Sequence, residues 1–250
     1  MTPVRHPALR ESPEPQEARA PLACWMERWG ARRALPRHRH AHAYLAIVLS
    51  GGYEECGSRG RYRVRPGDVL VHGAFDSHLN RFDDGETRVL NLTVPGLAPA
   101  YGLGRITDPD ALVRAAGRGA AEAGLCLRQQ LTEAKSRPAD WPDLLARDLL
   151  ADPACPLAGW AHRHGFAAET LSRGFGRVFA VSPAAFRLEA RARRAFARIV
   201  GTVEPLTAIA ADTGFADSAH MSRAIRALTG FPPRYWRESS SFKTGEMRFG

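Results

Sequence analysis

The sequence predicts a multidomain β + α molecule: an antiparallel β-barrel, a helical linker, and an all-α domain built from one helical unit used twice. Three observations predict it. Short apolar runs punctuated by glycine and proline fill residues 22–92. The apolar spacing changes to a helical period near Asp108. Residues 157–187 and 206–237 read as one segment written twice. The expected division is a disordered arm over 1–20, the barrel over 21–107, a linker and candidate dimerisation surface over 108–149, the all-α domain over 150–240 and a tail over 241–250.

The N-terminal arm carries Pro3, Pro7, Pro13 and Pro15 among charged residues and has no apolar core. It reads as disordered, and neither a secretory nor a transit peptide is expected. Leu45–Leu49 is an apolar run ended by Ser50-Gly51-Gly52. Tyr62–Arg65 alternates and stops at Pro66-Gly67, Asp68–Val71 resumes an apolar run, and Arg88–Val94 supplies another. Such spacing suits an all-β barrel or sandwich. From Asp108 onward, Leu112, Ala115 and Gly119 take helical spacing. Cys126, Leu127, Leu131 and Ala134 follow it more clearly, Pro138 interrupts, and Trp141–Leu150 forms another short helical stretch.

Composition narrows the function classes. No run of 18 apolar residues exists, so no membrane span and a cytoplasmic location are expected. Four cysteines (Cys24, Cys56, Cys126, Cys155) form no C-x-x-C pair, which excludes a zinc knuckle or a redox motif. The net charge of +9 is carried almost wholly by arginine. Residues 151–250 hold 14 basic and 8 acidic side chains, against 21 and 18 in residues 1–150. That imbalance suits a polyanionic partner.

The doubled segment carries the most chemistry. Gly165-Phe166 matches Gly214-Phe215 at an offset of 49, and Ser172-Arg173 matches Ser222-Arg223 at an offset of 50. Each copy has an apolar helix, a glycine free to take the left-handed turn, a corner phenylalanine, and a second helix with an outward arginine. That is a helix-turn-helix, over about 157–179 and again over about 206–229. Ala184–Val203 reads as one long connecting helix bearing Arg187, Arg191, Arg193, Arg194 and Arg198. Asp217 or Ser218 is placed to cap the final recognition helix. Gly174 and Gly176 fall inside the first one, at about 1 kcal/mol each in helix propensity, which predicts a softer first reading head. Ala180 stands where the second copy has Gly230.

Residues 150–238 resemble the DNA-binding domain of AraC/XylS-type transcription regulators. The pattern runs through Leu157-Ala158, Gly165-Phe166, Leu171-Ser172-Arg173-x-Phe175, Ser182-Pro183, Phe186-Arg187, Ile209-Ala210, Gly214-Phe215-x-Asp217, Ser222-Arg223 and Gly230-x-Pro232-Pro233-Arg234-Tyr235. The resemblance implies base contacts by Glu169, Ser172 and Arg173, then by Ser218, Ser222 and Arg223. Arginine can donate two bonds to guanine, and glutamate can accept from cytosine N4. Thr170, Arg177, His220 and Arg226 are better placed to hold the DNA backbone. Implied partners are double-stranded promoter DNA, a second copy of the chain, and RNA polymerase.

The barrel carries its own signal. His38-Arg39-His40-Ala41-His42 spaces three imidazoles for one face of a strand, and His78 follows a Pro66-Gly67-Asp68 turn. This resembles the cupin barrel, whose paired motifs hold histidines that bind one ion in its metal-containing members. Here the carboxylate that usually follows His-x-His is missing: Tyr44 holds that place for a His38/His40 pair, and Ala46 or Ile47 for a His40/His42 pair. Glu54 or Glu55 is a candidate source. His72 reads as a strand residue near the rim. A divalent transition metal is therefore a candidate cofactor or effector at His38, His40, His42 and His78, and none is required for DNA binding. The expected function is a non-enzymatic regulator responding to a small molecule or metal. A metal-dependent cupin enzyme fused to a DNA-binding domain and an architectural DNA-binding protein are the alternatives. No Walker, dinucleotide or Ser-His-Asp motif supports another enzyme class.

Overall fold

A computed structural model describes residues 22–97, 99–135 and 140–245. The expected arm over 1–20, Pro138 and the end of the tail lie outside the described residues. Ten strands come first: β1 (Ala23–Trp29), β2 (Ala34–Arg39), β3 (Tyr44–Ser50), β4 (Tyr53–Gly57), β5 (Gly60–Val64), β6 (Asp68–His72), β7 (Ser77–Phe82), β8 (Thr87–Thr93), β9 (Leu103–Arg105) and, after two helices, β10 (Thr132–Glu133). They form two antiparallel sheets, β1-β8-β3-β6-β9-β10 and β2-β7-β4-β5.

Strand parity explains the layers. In the six-stranded sheet, Ala46, Val48, Leu70 and Val89 face Tyr53, Val64 and Phe82 of the other sheet. Leu45, Ile47, Val69, Val71, Leu90 and Leu92 point the opposite way. They pack on α1 (Pro109–Arg118) and α2 (Ala120–Gln130) through Leu112, Ala123 and Leu127. Both faces of this sheet are therefore buried, which is why β3, β6 and β8 read as largely apolar stretches and not as strict alternation. The helices after Asp108 are a layer on the sheet, and β10 returns the chain to its edge against β9.

The four-stranded sheet turns Cys56 and Leu79 outward. They enter a second core with α3 (Trp141–Ala151), α4 (Leu157–Arg163), α5 (Ala168–Phe179) and the start of α6 (Pro183–Gly201). A third core joins the rest of α6 to α7 (Leu206–Asp212) and α8 (Ser218–Thr229), with α9 (Pro233–Gly245) alongside. Phe75, from the loop between β6 and β7, is part of that core. At 19 residues α6 is about 28 Å long, and both helix pairs pack against it. None of the described helices is long and apolar enough to cross a membrane.

Candidate nucleic-acid interface and barrel cavity

The two helix pairs match in length as well as in sequence. α4 and α7 have 7 residues each, and α5 and α8 have 12 each. Gly165 and Gly214 turn the chain at φ +71° and +79°, where a side chain would be strained. Phe166 N–H then donates to the Ala161 carbonyl and Phe215 N–H to the Ala210 carbonyl, each at 2.9 Å. Both turns are thus the same device. Inside, Trp160, Leu171, Phe175 and Phe179 fill the first unit, and Ile209, Met221, Ile225 and Leu228 the second.

Capping separates them. The Asp217 carboxylate accepts from His220 N–H at 2.6 Å, so Asp217 and not Ser218 caps α8. Gly230 ends it in the left-handed conformation. At α5 the N-cap is Ala167, with no side-chain acceptor, and the left-handed C-cap is Ala180 at φ +56°. Gly174 has a packing reason. A Cβ there would lie 2.3 Å from the Trp141 ring, which rests on α5. Only Gly176, whose Cβ would meet nothing closer than the Val181 carbonyl at 3.9 Å, fits the expectation of a softened helix.

Glu169, Thr170, Ser172, Arg173 and Arg177 are all exposed on α5, as are Arg223 and Arg226 on α8. Ser218, His220 and Ser222 are half-buried. The Ser222 hydroxyl donates to the Ser218 carbonyl at 2.7 Å, and the His220 ring stands edge-on to Phe215 at 5.2 Å. The arginines of α6 turn inward to carbonyls and carboxylates. Arg187 donates to the Cys155 carbonyl, Arg191 to that of Pro153, and Arg194 to those of Leu150 and Ala151. Arg198 pairs with Glu204 and Asp212. The connector's positive charge is largely spent on holding the helices together.

The sheets grip the helical domain at three places that the sequence did not reveal. Arg37 pairs with Glu189 at 2.5 Å and donates to the Phe179 carbonyl. Arg81 donates to the Arg177 carbonyl at 3.1 Å. Arg193 pairs with Asp76 at 2.9 Å and donates to the Ser58 carbonyl at 2.8 Å. Burial alone would raise the Asp76 carboxyl, but Arg193 and then Arg59 beside it hold it below the usual carboxylate range. Next to Asp76, Phe75 sits at φ +61°, a conformation rare for an aromatic residue, and meets Phe196 and Trp236 edge-on.

The loop bearing Phe75 and Asp76 is flanked by two cavity histidines, His72 at the end of β6 and His78 in β7. His38 pairs directly opposite His78 in the strand register, and Tyr44 opposite His72. Inward parity brings Glu55 and Asn80 together as a cross-strand pair, with Asn80 Nδ2 donating to Glu55 Oε2 at 3.1 Å. Gly57 makes room, since a Cβ there would lie 2.7 Å from that of His78. Two triads have donor atoms mutually within 4.8 Å: His38, His40 and His78, and Glu55, His72 and His78. His42 joins neither, because β2 ends at Arg39 and the chain bends before the alternation can carry it inward. His72 does join, as the inward partner of Leu70; its parity was the available signal. Burial drives the His72 imidazole down to about 3 and His78 well below its ordinary value, and it pushes Glu55 up to about 8. His72 and His78 are thus neutral imidazoles, the form that ligates metals.

Residues 160–239 match the family model described as a helix-turn-helix domain. No curated protein matches the chain. Among solved structures it is similar to ToxT from Vibrio cholerae, at 8% identity over 87% of this chain and 98% of that one, with a TM-score of 0.40. A probable AraC family transcriptional regulator from Rhodopseudomonas palustris is 22% identical over 38% of this chain and 93% of that one (TM-score 0.36). The C-terminal domain of AraT, a response regulator from Geobacillus stearothermophilus, is 19% identical over 42% and 88% (TM-score 0.39). With the matched helix pairs, their turns and the family match in agreement, the chain carries a helix-turn-helix domain over residues 160–239.

Proposed function

We propose that this protein is a sequence-specific transcription regulator whose β-domain modulates DNA binding by α5 and α8. The observation that carries the reading is the pair of equal helix units with exposed arginines in register, Arg173 and Arg223. Glu169, Ser172 and Arg173, with Ser218, Ser222 and Arg223, are the base-reading set. Thr170, Arg177, His220 and Arg226 hold phosphates. Ser222 must give up its bond to Ser218 to reach a base, so it ranks below Arg223 in that set. Modulation is supported by the β6–β7 loop, because one short segment joins the cavity wall to the core of the second helix pair through Phe75 and Asp76. A ligand that shifts this loop favours one domain arrangement over another, and that difference sets DNA affinity.

Selection of DNA sites from a random pool, followed by fluorescence anisotropy at fixed salt, tests the reading. Arg223→Ala is expected to weaken the selected site by about 1–3 kcal/mol and to relax preference at one base position. Arg173→Ala is expected to do the same more weakly, because α5 lacks both good caps of α8. Equal losses would remove the inequality of the heads. Unchanged affinity in both variants would overturn the assigned interface.

A further inference from the structure

We propose that Glu55, His72 and His78 bind a first-row divalent metal ion of the Zn2+, Fe2+ or Co2+ class. As the effector of the regulator, this ion rests on the reading above; as a bound ion, it stands on the cavity alone.

The three residues come from different strands and both sheets, so their convergence is a property of the fold. Glu55 lies in β4 and His78 in β7, while His72 ends β6 across the interior. All three are buried, at 5%, 6% and 4% exposure. They do not satisfy one another. His72 Nε2 and Glu55 Oε2 stand 3.7 Å apart, too far for a hydrogen bond. His78 Nδ1 and Asn80 Oδ1 are buried without partners. A buried polar cluster left in this state is costly, and native interiors contain few such atoms.

A cation resolves the mismatch. Zinc–nitrogen and zinc–oxygen bonds of about 2.1 Å in tetrahedral geometry place neighbouring donor atoms about 3.4 Å apart. The His72–Glu55 separation is already close to that. Two imidazoles and one carboxylate are a recognised donor set for zinc and for non-haem iron. Asn80 supplies the outer support, since its amide orients the Glu55 carboxylate. The cavity they line has a volume of about 10 Å3, room for about one water or ion. Arg59 also lines it, held at 2.7 Å by Asp76, the carboxylate it shares with Arg193.

The competing triad is weaker by the same criteria. His40 is exposed, and that set has no carboxylate. It shares His78 with the inner triad, so the two cannot fill independently.

Chelator-treated full-length protein should be titrated with Zn2+ and, separately, with Co2+. Equilibrium dialysis with elemental analysis counts ions, and the visible absorption of Co2+ reports nitrogen and oxygen coordination. The expected result is one ion per chain. Glu55→Gln and His72→Asn should each weaken binding by more than about 100-fold, beyond the usual effect of an outer-shell change. The double variant His38→Asn, His40→Asn should stay within about threefold, since it removes no ligand of the proposed set. Glu55→Gln keeps the shape of the side chain, and an unchanged melting profile without metal verifies its fold should His72→Asn misfold. No stoichiometric ion, or loss in the double variant with retention in Glu55→Gln, would overturn the site. DNA affinity with and without the ion separates the two proposals: a bound ion that leaves it unchanged sinks the effector role only.

Discussion

The two helix-turn-helix units have the same lengths and the same glycine turn, yet they are stabilised differently. The second has both caps of its recognition helix in its own sequence. Asp217 caps its recognition helix, Gly230 ends it, and its core is closed by α6 and by Phe75. The first has Ala167 and Ala180 at the corresponding caps, and it is held from outside. Trp141 lies on its Gly174, Arg37 and Arg81 take the carbonyls of Phe179 and Arg177, and Cys56 and Leu79 of the sheet extend its core. The difference teaches that repeated sequence fixes geometry while neighbours set stability. The first reading head owes its order to the β-domain and α3, the second mainly to its own sequence.

The largest expected effect tests the outside support. Gly174→Ala improves helix propensity by about 1 kcal/mol but drives a Cβ into the Trp141 ring. That ring is wedged against Trp160 and Phe166, so it has little room to move. A net loss of about 1–3 kcal/mol is expected by urea denaturation, typical of overpacking. Gly176→Ala, at an open position, is expected to gain up to about 1 kcal/mol. If both substitutions stabilise, the Trp141 contact does not hold the first head.

This contact also shows where the sequence stopped being informative. The repeat was legible because two copies of a pattern confirm each other. Strands β3, β6 and β8 were legible because a sheet buried on both faces needs largely apolar stretches. β4 and β7 were hidden, because their inward positions Glu55, His78 and Asn80 are polar and give no alternation of hydrophobicity. Of the cavity, His38, His40 and His78 stood out by motif spacing. His42 falls outside both triads, since β2 ends at Arg39 before strand alternation reaches it. Asp76 meets Arg193, and Phe75 meets Phe196, across more than a hundred residues, and no local pattern announces such contacts. Gly174 was read as a helix weakener because propensity is local and Trp141 is not.

A middle-sized effect is expected at the N-caps. Asp217→Ala removes the acceptor of the His220 N–H bond and should cost about 1 kcal/mol. Ala167 already has the extended backbone of a capping residue (φ −71°, ψ 150°) but offers no side-chain oxygen. Ala167→Ser is therefore expected to gain about 0.5–1 kcal/mol and to slow amide exchange in the first turn of α5. Should Asp217→Ala prove neutral, the claim that the second head is locally self-sufficient loses its main support.

The smallest effect is the cleanest, because it involves backbone alone. Ala180 and Gly230 occupy equivalent C-caps, both left-handed, at φ +56° and +83°. An L-residue pays about 1–2 kcal/mol for that conformation, and glycine does not. Replacing alanine by glycine also raises the entropy of the unfolded chain, which offsets about 0.4–1 kcal/mol. Ala180→Gly should then stabilise by about 0.5–1 kcal/mol, and Gly230→Ala should destabilise by a similar amount. A Cβ at Gly230 would meet nothing within 4 Å, so no packing change confuses the second measurement. Equal and opposite shifts in the denaturation midpoint, with unchanged slope, would show that the caps contribute alike in both units. The remaining inequality would then reside in the N-caps and the outside contacts. A larger shift at Gly230 would instead show that the β-domain absorbs part of the strain at Ala180, through the Arg37 and Arg81 bonds to the last turn of α5.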